Sequence, residues 1–505
     1  MSTFFPHVNI NALKKFAAAT AVAEHPSRAT NRRVPIKLNP VVANVEDLKW
    51  AGEKMIQITF ERTSLPLGPH IMMAYFPRGR KSLTTQAVIG MMTTVKASPL
   101  KIVVPKIYGY KDFLPNDVGA EVVLMEKITG ENLQEVWPTL SPEEELKVCG
   151  KLADLLLKLF DTRGSLICTD LLGTGINTSV SSALLQEGQE RQGPVGVGPL
   201  LLSRPFNERP LDTLTPQGAL SNNADYLTAL CWRVERLFIN PENIRPEALD
   251  TGFAVNPPLT VEDAKQTRQT FRRLASIITH HIGGFYIPGT LSRLAREEAY
   301  SILQNRKFGI CHGDMQMYRF LVQFLPDKDG NLRSLDSEVE LVLCTGWEHS
   351  FRAPLWSCAR MPLWLMSRPI LNEPIPWSRQ AELRSAIYDM MNQPSRIENS
   401  REWIVSHVYG RTERWFEGCV SAHWMYGRNI EANLVDLKKY WEFWRPDIQF
   451  PFEVGVQYTL QQQIPSASAE SSDEPVAAPA IEELTIPLLS ASPLGILIGM
   501  SRPQA

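Results

Sequence analysis

The sequence predicts an α+β chain of two lobes, a small antiparallel β lobe followed by a larger, mostly helical one. Three observations carry this. Between Met55 and Gly130, β-rich runs and one helical window fall in the order strand, strand, helix, strand, strand. At Ser141 a capped amphipathic helix begins, and its apolar face must be buried against a further body of structure. The segment Lys307–Trp356 then reads as loop, strand, turn, strand, loop among helices.

In chain order, residues 1–45 are an N-terminal extension carrying a short helix, Asn11–Ala23, with Leu13, Phe16, Ala17 and Ala21 on one face. Residues 46–130 form the small lobe. Met55–Phe60 and His70–Phe76 are β-rich runs split by Pro66 and Gly68, the pattern of a hairpin. A helical window covers Leu83–Lys96, and Val104–Tyr110 and Glu121–Gly130 supply two more strands. Residues 131–460 form the helical lobe. Its first helix has Ser141-Pro142-Glu143-Glu144, a capping box with proline at the first helical position. Leu146, Cys149, Leu152, Ala153, Leu156 and Phe160 then recur at helical spacing. Gly173–Asn223 is rich in Gly, Pro and Ser and reads as a long loop. Further helices are expected at Ala224–Phe238, Val261–His281 and Thr290–Leu303, and a tryptophan-rich helical region up to Trp444. Residues 461–505 have the Ser/Ala/Pro/Glu composition of a disordered tail.

Composition narrows the function classes. The 505 residues carry a formal net charge of -2, so no global basic field points to nucleic acid. The seven cysteines are scattered and never spaced Cys-x-x-Cys, which speaks against a disulfide framework or a zinc site and for a reducing compartment. No stretch is apolar and long enough to span a bilayer, since Ile486–Met500 is broken by Pro487 and Pro493. A cytoplasmic location is expected. The basic N-terminal segment, with Glu24 its one acid before Glu46, keeps a mitochondrial address as the alternative.

Three motifs stand in order along the chain. Val104–Tyr110 (VPKIYGY) is followed by GAEVVLMEKITGENLQEVW, then CHGDMQMYRFLV from Cys311, then CTGWEHSFRAPLW from Cys344. Together they resemble the aminoglycoside phosphotransferase and choline kinase superfamily, of protein kinase-like fold. The nearest likeness is to its fungal branch, which includes altered-inheritance-of-mitochondria proteins. The first motif is similar to the strand, hinge and linker between the lobes. The second is similar to the catalytic loop within the remnant 310–356, typically His-Gly-Asp with Asn five residues on. The third is similar to the metal-binding segment, typically Asp-Trp-Glu-His.

The resemblance implies ATP-dependent phosphoryl transfer to a hydroxyl, in which the protein positions reactants, neutralises the triphosphate and holds magnesium. Residue by residue, however, the chemistry thins out. His312 and Asp314 keep the loop, Asp314 at the position that orients the attacking hydroxyl. The metal-binding asparagine is Arg319, and a guanidinium has no acceptor for a cation. The metal-binding aspartate is Gly346. The phosphate-holding base of the third strand falls on Tyr75, and its helix glutamate on Ala87. Met125 and Glu126 fall in the hinge, at positions that the resemblance assigns to nucleotide contact.

The resulting expectation is a pseudokinase that binds a small-molecule or protein ligand, with an active phosphotransferase as the alternative. ATP stays open as a ligand, and magnesium is poorly served. Asp336, Glu338 or Glu348 could rescue a metal site, against the plainer reading of two solvated turn residues and a structural carboxylate. Arg319 could meet a nucleotide phosphate without metal, or be a surface arginine. His312 reads first as a packing and hydrogen-bonding residue, and Asp314 could persist by accepting backbone donors.

Overall fold

The computed structural model describes residues 2–24, 39–65, 68–77, 82–172, 195–197, 219–237, 292–303, 307–328, 337–366, 377–393 and 395–410, with isolated positions between 269 and 450. The expected helix Val261–His281, most of the loop 173–223, Asp336, Trp415, Trp424, Trp441, Trp444 and the tail 461–505 lie outside the described residues.

Helix α1 (Ile10–Ala23) starts at Asn9, whose side chain accepts from the amides of Asn11 and Ala12. The small lobe is a five-stranded antiparallel sheet in the order β1-β2-β3-β5-β4, from β1 (Val42–Trp50), β2 (Glu53–Phe60), β3 (Ile71–Tyr75), β4 (Ile107–Lys111) and β5 (Val122–Glu126). Helix α2 (Ser82–Ala97) lies between β3 and β4 in sequence. The strand period of two divides the sheet's side chains. Met72, Ala74, Val122 and Leu124 join Leu13, Ala17 and Ala21 of α1 in one apolar cluster. Met73, Tyr75, Val123 and Met125 belong with Val88, Met91, Met92 and Val95 of α2 to a second cluster. That second cluster continues through Leu321, Leu343, Trp347 and Trp356 into the other lobe, so the lobes share one core.

Strand β1 is a correction. The reading from sequence began the sheet at Met55 and cut the chain at 45/46, inside β1. Val42–Trp50 carries little alternation because, as an edge strand, most of it is exposed or half-buried.

The link between lobes is β6 (Glu131–Asn132), which pairs with β10 (Phe320–Phe324); β10 pairs in turn with β11 (Val339–Leu343). The short helix α3 (Leu133–Val136) leads to α4 (Pro142–Asp161), where both halves of the capping box form. Leu146 is a second correction: it is 39% exposed, and Val148, Leu155 and Leu159 fill the face instead. A short antiparallel pair, β7 (Asp170–Leu172) with β8 (Val195–Val197), is followed by helices α5 (Asn223–Leu237) and α6 (Arg293–Leu303). Strand β9 (Gly309–His312) pairs with β12 (Ser350–Ala353), which brings the second and third motifs side by side. Helices α7 (Leu355–Cys358), α8 (Leu363–Met366), α9 (Trp377–Met391) and α10 (Ile397–Tyr409) complete the described part. Trp403 of α10 is fully buried and stacked on His407, as a core residue would be. Among the described residues no helix is long and apolar enough to cross a membrane.

Candidate functional site

The register of β9 and β12 sets Ser350 opposite His312 and holds the two loops that follow and precede these strands in contact. The amide of Gly313 donates to His349 O at 3.2 Å, and a Cβ at 313 would stand 2.5 Å from that oxygen, so only glycine allows this approach. His312 is buried, with its ring edge-on to Trp347 at 4.9 Å. Its Nδ1 accepts from the Asp314 amide at 3.4 Å, and its Nε2 lies 3.2 Å from Thr345 O. That pairing assigns the hydrogen to Nε2 of a neutral imidazole. Burial, aided by His349 and opposed by Glu348, pushes the His312 pKa down to about 4. The ring is a strut between the loops.

Arg319 follows in a 3₁₀ turn, Met317–Arg319, and is 5% exposed. Its Nε and Nη2 donate to Asp314 Oδ2 at 2.8 and 2.5 Å. Its Nη1 donates to Glu53, which is 3% exposed at the start of β2, and lies 3.5 Å from Thr345 Oγ1. The guanidinium also lies 4.8 Å from the centroid of the Tyr318 ring. Burial lowers the Arg319 pKa and Glu348 opposes this; an arginine so placed stays charged at neutral pH. The cation is therefore held between carboxylates from both lobes, and Asp314, with its side chain 19% exposed, receives it on Oδ2. This is not a surface arginine.

Gly346 adopts φ +87. A Cβ added there would meet His312 Cε1 at 2.9 Å and Arg319 Nε at 3.2 Å. At the two positions that the resemblance gives to metal ligands, a side chain at 346 would therefore run first into His312 and next into Arg319. Glu348 is buried behind them. Burial pushes its carboxyl up, but His349, Arg319, its own backbone and the Tyr75 phenol together hold it below the ordinary value. Tyr75 and Ala87, at the positions that the resemblance gives to the phosphate-holding base and its helix glutamate, are both buried. Magnesium does not fit these residues. Among the described residues no group of three or more His, Cys, Asp or Glu side chains could hold a metal ion. Glu338, beside the undescribed Asp336, is exposed.

In the hinge, Met125 is 1% exposed, packed in the sheet between Met73 and Ile107. The Glu126 amide donates to Lys106 O at 2.8 Å and its carboxylate accepts from the Lys106 amide at 3.0 Å. A cleft of about 340 Å³ opens between the β1–β2 turn and the linker, lined by Lys49, Trp50, Gly52, Glu131, Glu135 and Leu321 among others. Its ionisable lining is one lysine and two glutamates, a poor field for a triphosphate.

Reading the motifs alone missed Glu53, Thr345 and the turn Trp50–Glu53. Their one legible signal was Gly52, a turn-forming residue with a carboxylate directly after it.

No family model matches the chain. Over 85 residues it is 34% identical to a subtelomeric hrmA-associated cluster protein of Aspergillus fumigatus, in each of two strains. The match takes in 17% of this chain and spans only 16% of those relatives' own length. Among solved structures, the GDP complex of wild-type aminoglycoside 2'-phosphotransferase-IIIa aligns at TM-score 0.33 and 11% identity, covering 83% of this chain and 96% of that one. The streptomycin–ATP ternary complex of APH(2")-IIa aligns at 0.35 and 10%, covering 79% and 92%. ADP-bound APH(2'')-Ib aligns at 0.34 and 11%, covering 81% and 95%.

Proposed function

We propose that the chain is a catalytically impaired relative of the aminoglycoside phosphotransferase and choline kinase superfamily, a pseudokinase that acts by binding a small molecule or a protein. The single observation that carries this reading is the Arg319 guanidinium, locked between Glu53 and Asp314 and filling the space beside Gly346. Oxygen donors are what a hard divalent cation requires, and here a cation of the protein's own already sits among them. Like charges at such range in a buried site repel strongly. Phosphoryl transfer depends almost wholly on electrostatic neutralisation, so a site that repels its metal loses the main source of rate. The retained Asp314 favours the alternative, an active phosphotransferase acting on a hydroxyl of a small molecule or protein. Its carboxylate serves Arg319, however, rather than an incoming hydroxyl.

A thermal-shift titration with ATP, with and without magnesium, separates the two. A ligand at a hundredfold excess over its Kd stabilises the fold by roughly 2.7 kcal/mol. The expected outcome is that magnesium changes the melting temperature no more with ATP than without it, and that no ADP is released. A magnesium-dependent rise would contradict this reading, and ADP release abolished by Asp314→Asn would establish the alternative.

A further inference from the structure

The tip of the β1–β2 hairpin is buried, where hairpin tips ordinarily face solvent. Trp50 pairs with Glu53 across Ala51 and Gly52, whose φ values of +46 and +76 are those of a type I′ turn. Trp50, Ala51 and Glu53 are 6%, 2% and 3% exposed. A positive φ at Ala51 is a conformation that alanine resists, so contacts beyond the turn must hold it. Three such contacts reach across from the other lobe. Thr345 Oγ1 donates to Ala51 O at 3.2 Å. Arg319 donates to Glu53. The ring of Tyr318 lies so close that a Cβ at Gly52 would be 2.3 Å from its Cδ2. The turn thereby covers Arg319, and these three contacts all come from the second and third motif segments.

We propose that the Trp50–Glu53 turn is an intramolecular plug, a releasable cover latched onto the catalytic-loop remnant by the Glu53–Arg319 ion pair. Closed, it keeps Arg319 from any ligand of the cleft. Released, it moves with the free end of the β1–β2 hairpin, whose outer strand β1 lies at the edge of the sheet and is tied further along, through Asp47, to Ser2, Thr3 and Phe4. The plug rests on the contacts of the turn and not on the loss of catalysis, and hydrogen exchange without any nucleotide tests it separately from the ATP titration.

Hydrogen exchange followed by mass spectrometry on the full chain tests the plug with two unlike variants. Glu53→Gln removes the charge of the latch, and Gly52→Ala drives a methyl into the Tyr318 ring while leaving the ion pair's groups intact. Each is expected to speed exchange of the amides in residues 50–56 by about tenfold or more, with α4 and α9 exchanging as in the wild type. Such local opening in either variant supports the plug. Unchanged protection in both, or in each variant either no change or a loss shared evenly with α4 and α9, overturns it.

Discussion

His312 shows how a histidine in a loop that resembles a catalytic one can serve packing. Its folded pKa of about 4 lies below the ordinary 6.5, so between those values the unfolded chain binds the proton and the folded one does not. The sign follows: its contribution is complete above about pH 6.5, declines as pH falls through the window and is gone near pH 4. The most it can amount to is about 3 kcal/mol. Urea unfolding between pH 4 and 7.5 is expected to show a falling midpoint on acidification, with a shallower slope in His312→Gln. Equal slopes would mean that the carboxylates alone carry the acid sensitivity. The motif made His312 legible as a loop residue, but its low basicity was not, because burial is set by Trp347 and Thr345 from another segment.

Elements were legible wherever local chemistry decides them. The start of α4 was visible because Ser141, Pro142 and Glu144 act within one turn, and the side chain of Ser141 does accept from the Glu144 amide at 3.2 Å. Replacing Ser141 with Ala is expected to lower stability by about 1 kcal/mol, the usual worth of a cap. A thermal melt of the variant checks this, and an unchanged melt would mean that tertiary packing alone holds the first turn. Strand β1 was illegible for the opposite reason. Its half-exposed edge position imposes no hydrophobic alternation, and only pairing with β2 defines it. Leu146 misled for a related reason: helical spacing picks a face to within about a residue, and the neighbour decides its width.

At the scale of the whole molecule, the lobes are joined by a shared apolar core as well as by the linker. The cluster that begins with Met55 and Met73 in the sheet passes through Leu321 and Leu343 to Trp347 and Trp356. The Glu53–Arg319–Asp314 bridge adds a buried polar tie at the same junction. Breaking one side of such a pair leaves a charge stranded, at a cost of about 3–5 kcal/mol. A single cooperative transition is therefore expected when unfolding is followed by both far-UV circular dichroism and tryptophan fluorescence. Separate midpoints for the two probes, with the β lobe lost first, would show that the shared core contributes little.

The capped start of α4 and the side-chain chemistry at positions 319 and 346, a guanidinium and no side chain, were determined by the sequence alone, since capping and side-chain chemistry act within a few residues. What Arg319 does instead was decided only by the tertiary structure. Glu53 stands 266 residues away, and nothing local to either marks them as partners. A buried charge is tolerable only beside its counter-charge, and which counter-charge arrives depends on how the two lobes close.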